Sequence, residues 1–395
     1  MGRTVFLVDM NAFFISCEMS RNPHIIGKPA AVAGDPKNRS GIILAANYEA
    51  RKFGVKTTMV VHQALKLCPG MLLIPPDHSF YEARSREVMS LLGNYSPVLE
   101  QNSIDEAWLD MTGTENLFGT PGEAARRIMA DINENLGLWC SIGISENKLL
   151  AKIASEMKKP MGITELWLKD VKEKLWPLKV TEMYGVGRQT GIKLNNLGIM
   201  TIGDLAEYNI KELEKCLGKL GYELQAYANG LDCSPVTPHT LGEMKSIGRS
   251  TTLSEDVTDL QAIRAIFFEL CEEVGFDARK YNKKAGTIQI SIKYSDFQSI
   301  TRQVSIKPTY LTKEIFETGY TLMKKNWNSS RPVRLVGISI TSFEKENRPK
   351  QLMLFEESDE YKQSDKEEKL EKTIDNIRIR HGASSITRAV QIKKS

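Results

Sequence analysis

The sequence predicts an α+β protein of several domains, and three observations carry that reading. A chain of 395 residues with 41% apolar side chains has material for two or three hydrophobic cores. Its first 165 residues interleave short apolar runs that read as strands with stretches of helical period, and from about Leu166 the pattern changes to short helices. From Ser246 to Phe343 strand-like and helix-like stretches follow in the order βαββαβ, the plan of a sheet with helices on one face.

Composition excludes several classes. No apolar run approaches membrane-spanning length and the first residues lack a signal-peptide pattern, which predicts a cytoplasmic protein. Six cysteines, at 17, 68, 140, 216, 233 and 271, show no C-x-x-C spacing, and the five histidines do not cluster with them. This argues against a zinc site or a disulfide framework and for free, structural thiols. The net charge of +4 is unevenly spread: residues 1–165 carry 17 Lys and Arg against 18 Asp and Glu, residues 233–343 carry 15 against 11. A basic C-terminal part beside a slightly acidic N-terminal one suits a nucleic-acid grip next to a metal site.

In chain order, Thr4–Val8 reads as a buried strand that ends on an acid, Asp9, and turns into a helix through about Met19. A carboxylate there is costly unless paired or metal-bound. Ala45–Gly54 places Tyr48 and Arg51 three residues apart, a hydroxyl and a guanidinium fork on one helical face that suit a triphosphate. The stretch Gln101–Met111, QNSIDEAWLDM, reads as a tight turn into a short strand with Asp105 and Glu106 adjacent. Such a pair repels unless a hard cation such as Mg²⁺ sits between them. With Asp9 it makes a three-carboxylate set able to hold two ions for phosphoryl transfer, provided the two strands are neighbours. Gly143–Gly162 reads as a helix with Leu149, Leu150, Ile153, Ala154 and Met157 inward, ended by Pro160 and Gly162, with Lys152 and Lys159 seven residues apart.

The segments VDMNAFF, AANYEARKFGVK, NSIDEAWLD and GISENKLLAKIASEMKKPMG, in this order and spacing, resemble the Y-family translesion DNA polymerases of bacteria. The resemblance covers roughly residues 3–355. It implies a right-hand polymerase with a palm at 1–20 and 72–165, small fingers at 21–71, a helix-hairpin-helix thumb at 166–232, a linker at 233–245, a βαββαβ little finger at 246–343 and a tail at 344–395. By the same resemblance Asp9, Asp105 and Glu106 are catalytic metal ligands, joined by the backbone carbonyl of Met10, for two Mg²⁺ per site. Tyr48, Arg51 and Lys159 match the residues that hold the incoming deoxynucleoside triphosphate, and Phe14 matches the steric gate against a ribose 2′-OH. Ala45 departs from the Ser or Thr common in relatives, which removes one hydroxyl contact. The role of Lys152 is left open.

Further along, Gly185-Val186-Gly187 between two helical stretches is a helix-hairpin-helix signature, with Arg188 and Lys193 following. Glycines let backbone N–H groups approach a DNA phosphate, with the positive end of the second helix behind them. Gln351, Leu352, Leu354 and Phe355 lie in an apolar cluster isolated in a hydrophilic tail, similar to the peptide with which bacterial polymerases bind the sliding clamp. The tail also holds a charged helical stretch, Lys366–Arg380. The resemblance thus implies an error-prone, damage-tolerant DNA polymerase without proofreading, monomeric, acting on primer-template DNA in repair and the SOS response.

Overall fold

The computed structural model describes residues 2–35, 41–238, 244–344, 358–382 and 385–386. The chain divides into two compact units, Met1–Thr240 and Leu241–Ser395.

The first unit is built on β1 (Val5–Met10), every residue of which is buried. After it come α1 (Phe13–Arg21), β2 (Ala30–Ala33), β3 (Ile43–Ala46), α2 (Tyr48–Lys52), α3 (Val61–Leu67), β4 (Leu72–Ile74), α4 (His78–Leu92), β5 (Leu99–Gln101) and β6 (Glu106–Asp110). Then follow α5 (Glu115–Phe118), α6 (Pro121–Leu136), β7 (Cys140–Ser145), α7 (Lys148–Met157) and β8 (Ile163–Glu165). The main sheet has the order β5-β6-β1-β7-β8, so β1 is its centre, antiparallel to both neighbours.

The two-residue period of β1 sorts its side chains. Phe6 and Val8 enter the large core with residues of α1, α4 and α6, while Val5 and Leu7 face the other way, with Trp108, Ala151 and Val236. Asp9 shares the parity of Val5 and Leu7, which puts it on the face that α7 covers. Gly143 of β7 permits that cover: a Cβ there would lie 1.9 Å from the Ala151 carbonyl oxygen.

The small sheet has the order β3-β2-β4. Its β4 pairs parallel with β2, so Leu72–Ile74 belongs to this sheet, although the expected boundary starts the palm at 72. Beyond β8 lie α8 (Arg188–Asn196), α9 (Ile202–Glu207), α10 (Ile210–Leu217) and α11 (Lys219–Ala228), closed over a core that Leu149, Leu150, Ile153 and Ala154 of α7 also enter. Met157, expected inward, is 38% exposed, because it closes the last turn of α7. The stretch before Gly185 is a single 3-10 turn, Val180–Glu182, rather than a longer helix. Within the expected linker, Val236 is buried beneath the main sheet and the Thr237 amide donates to Glu100 Oε2 at 2.9 Å. That part of the chain is docked, not free.

The second unit comprises β9 (Ser246–Val257), α12 (Leu260–Lys280), β10 (Ala285–Tyr294), β11 (Ser299–Thr309), α13 (Thr312–Asn326), β12 (Val333–Phe343) and α14 (Ser358–His381). Its sheet, ordered β11-β10-β12-β9, is antiparallel throughout. Ile288, Ile290 and Ile292 meet Val336, Ile338 and Ile340 in one core with α12 and α13. Three strand arginines are engaged within the unit: Arg249 pairs with Glu273 and Asp277 of α12, Arg302 with Asn326, and Arg334 with Asp256. The charged stretch of the tail is α14, and its acidic residues meet Arg279, Lys284 and Tyr310.

The six cysteines are free thiols, four of them buried. Burial pushes Cys17 and Cys140 up to about 12, out of the reactive range.

Candidate active site

A cavity of about 450 Å³ opens in the first unit. Among the residues lining it are Asp9, Met10, Phe14, Tyr48, Arg51, Asp105, Glu106 and Lys159, the sites expected to hold metal, nucleotide and sugar wall. Their assembly follows from strand register. Asp9 of β1 lies directly opposite Glu106 of β6, and the Met10 amide donates to the Asp105 carbonyl at 2.9 Å. The adjacency of the two strands, which local spacing leaves open, is therefore present.

Like charges facing each other across a sheet destabilise it. Here Lys152 lies between them, 3.1 Å from Asp9 Oδ2 and bonded to Glu106 Oε2. Lys159 also reaches Asp9 Oδ2, at 2.9 Å, and both ammonium groups contact Glu156, at 3.3 and 2.8 Å. Burial works against both lysine charges, but Asp9 and Glu156, and for Lys152 also Glu106, outweigh it and raise both. Asp105 is held above the usual carboxylate range by burial, reinforced by Asp9 and Glu106, although Ser103 donates to its Oδ1 at 2.5 Å.

Tyr48 and Arg51 are placed by the start of α2. Asn47 caps that helix, accepting from the Ala50 amide at 3.0 Å, and the same oxygen accepts from the Ala30 amide of β2. Arg51 Nε donates to the Ala46 carbonyl at 2.9 Å, and its guanidinium lies 4.9 Å from the Tyr48 ring centroid. The Tyr48 hydroxyl is buried and has no hydrogen-bond partner among the described residues. An orphaned donor beside the Arg51 guanidinium fits an anionic ligand. On the far wall Asn11 ties the strands together: its Nδ2 donates to Ser141 Oγ at 3.0 Å and its Oδ1 accepts from the Met161 amide at 2.8 Å.

The donor set is chemically right for a hard divalent cation: carboxylates with a backbone carbonyl beside them. Among the described residues no three His, Cys, Asp or Glu side chains are gathered closely enough to form a ligand cluster by themselves. The positive charge between Asp9 and Glu106 is the Lys152 ammonium.

The impB/mucB/samB family matches residues 8–156, its C-terminal domain matches residues 244–354, and a family described as the DNA polymerase-iota thumb domain matches residues 181–232. DNA polymerase IV of Clostridium kluyveri is 59% identical over the whole of both chains, and that of Alkaliphilus oremlandii 55% over the same extent. The chain belongs to the Y-family DNA polymerases. A solved Y-family DNA polymerase chimera superimposes with a TM-score of 0.75 at 29% identity, covering 86% of this chain and 99% of its own. As a Y-family member the chain is a DNA-directed DNA polymerase of the translesion class.

Of the other expected sites, Gly185 adopts φ 87°, a left-handed turn that favours glycine. Gly187 is the N-cap of α8, and a Cβ there would meet open space, so no internal contact demands a glycine. Arg188 opens α8 and Lys193 lies in its last turn. Gln351, Leu352, Leu354 and Phe355 lie outside the described residues. Sequence reasoning left Lys152 without a role and passed over Asn11, Ser103 and Glu156. The i+4 spacing of Lys152 and Glu156 was a legible signal, whereas nothing local marks Asn11.

Proposed function

We propose that the cavity carries out template-directed, error-prone nucleotidyl transfer past damaged bases. The observation behind this is the meeting of Asp9 and Glu106 across one strand pair, with Asp105, Tyr48, Arg51 and Lys159 around the same cavity. Asp9, Asp105, Glu106 and the Met10 carbonyl are the groups that would hold two Mg²⁺. Bound there, the ions supply positive charge for an attacking primer 3′ oxygen and a departing pyrophosphate. Tyr48 and Arg51 bind and orient the triphosphate, the orphan hydroxyl gaining an acceptor and the fork a phosphate oxygen. Lys159 exchanges its carboxylate partners for phosphate oxygens of the nucleotide. Phe14 excludes a ribose 2′-OH by contact alone. Ala45 brings no hydroxyl to this cavity, and Thr57 is the threonine among the residues that line it.

Gly185, Gly187, Arg188 and Lys193 would grip duplex phosphates without reading bases. The 351–355 peptide would tether a monomeric enzyme to the sliding clamp in the bacterial cytoplasm, raising its effective concentration at the primer. Primer extension on undamaged and abasic templates, comparing wild type with Asp105→Ala, tests the site. Mg²⁺-dependent extension by wild type alone supports it. Extension that survives in the variant moves the metal site elsewhere, and failure of both proteins argues for dependence on a partner.

A further inference from the structure

Phe14, Glu18 and Arg21 stand at i, i+4 and i+7 of α1 and so share one helical face. Facing them, α4 begins at its N-cap Asp77 and carries His78 and Tyr81. The Tyr81 ring stacks on Phe14 with centroids 4.4 Å apart and planes 14° from parallel, and His78 meets Phe14 edge-on at 5.9 Å. Tyr81 is fully buried, and its hydroxyl donates to Glu18 Oε1 at 2.7 Å. Glu18, only 3% exposed, is gripped at both oxygens by Arg21, Nε to Oε2 at 2.9 Å and Nη2 to Oε1 at 2.8 Å. The remaining edge of Arg21 reaches Asp77 Oδ2 at 3.0 Å, while Asp77 Oδ1 accepts the Phe80 amide at 3.1 Å and caps α4. The circuit from α1 to α4 closes on itself.

A wall that rejects a hydroxyl by contact works only if it does not yield, because dispersion and repulsion change steeply over a few tenths of an ångström. An offset stack leaves a ring free to slide in its plane. The bond from Tyr81 to a buried carboxylate removes that freedom, and charge-assisted bonds of this kind are short and directional. Burying a carboxylate is costly, and Arg21 meets that cost with two hydrogen bonds. Phe14 lines the cavity, whereas Glu18, Arg21, Asp77 and Tyr81 stand behind it.

We propose that Glu18 is a positioning residue for sugar discrimination: through Tyr81 it holds the Phe14 ring where a ribose 2′-OH would have to pass, and Arg21 holds Glu18. This rests on the reading of Phe14 as the sugar wall.

Single-nucleotide insertion of matched ribo- and deoxyribonucleotides, by wild type, Tyr81→Phe, Glu18→Gln, Phe14→Ala and the Phe14→Ala/Tyr81→Phe double variant, tests it. Tyr81→Phe keeps volume and stack but removes the bond to Glu18. The ribo-to-deoxy ratio of kcat/KM should rise about three- to tenfold in Tyr81→Phe and Glu18→Gln, the worth of one buried hydrogen bond. Deoxynucleotide kcat/KM should stay within about twofold, since the reacting groups are untouched. In the Phe14→Ala background Tyr81→Phe should add nothing, because no ring remains to hold. If Phe14→Ala relaxes selection while Tyr81→Phe leaves it at the wild-type ratio, the relay is overturned and the wall stands. If Phe14→Ala itself discriminates like wild type, the wall is overturned and the relay with it. Additive effects in the double variant overturn action through Phe14. Should Glu18→Gln fail to fold, Tyr81→Phe decides alone.

Discussion

Asp375 of α14 grips Arg279 of α12 at two points, Oδ2 to Nε at 2.6 Å and Oδ1 to Nη2 at 2.9 Å. The guanidinium is nearly inaccessible, and its Nη1 is spent on the Tyr310 carbonyl and Thr312 Oγ1. Glu371, one turn earlier on α14, adds a contact at 3.5 Å. The buried face of α14 is thus acidic, and the helix is attached by charge pairing more than by apolar packing.

Breaking a buried pair from one side leaves an uncompensated charge, which costs about 3–5 kcal/mol. Asp375→Ala should lower the stability of the second unit by that order and strip α14 amides of hydrogen-exchange protection. An Arg279→Met/Glu371→Gln/Asp375→Leu triple variant should recover most of the loss in urea unfolding, because it removes the guanidinium together with both carboxylates that face it.

Acid should loosen the same helix. Lys284 and Tyr310 hold the Glu368 carboxyl below its ordinary value of 4.5 despite partial burial, which pulls the other way. A depressed carboxylate pKa gives stability that is complete above the ordinary value and is lost as pH falls through the folded one. The Tm difference between wild type and Glu368→Gln should therefore be largest near neutrality and shrink below 4.5. A difference that does not change with pH would dissociate Glu368 from the attachment.

Gly143→Ala should be felt at the active site from the far side of α7. The new methyl would meet the Ala151 carbonyl oxygen and, at 2.5 Å, the Ser155 amide nitrogen, both rigid backbone atoms. Overpacking of this kind costs about 1–3 kcal/mol or more. It also lifts the helix that aims Lys152 at Asp9, so denaturation and primer extension should both register it.

Tyr48→Phe should separate binding from stability. The hydroxyl is buried and unpaired among the described residues, so its removal should leave Tm unchanged or raise it slightly. The nucleotide KM should rise about ten- to hundredfold, the value of one hydrogen bond to a charged acceptor. A fall in Tm with an unchanged KM would mean that the hydroxyl supports the fold instead.

What the sequence by itself determined was local order and chemistry. An apolar run ending on an acid marked β1, a helical stretch closed by Pro160 and Gly162 marked α7, alternating strand-like and helix-like stretches marked the second unit, and the ordered segments around Asp9, Tyr48, Asp105 and Lys159 named the family, because these signals lie within a few residues of one another. What only the tertiary structure decided was pairing across distance. The register that sets Asp9 against Glu106 spans about a hundred residues, and the pairing of Lys152 with Asp9 spans 143. Local periodicity carries no information on which strand lies beside which. The support of Phe14 by Tyr81 and Glu18, and the docking of α14 on Arg279, were hidden for the same reason. A buried carboxylate and an exposed one look alike in a sequence, and their partners appear only when the chain has folded back on itself.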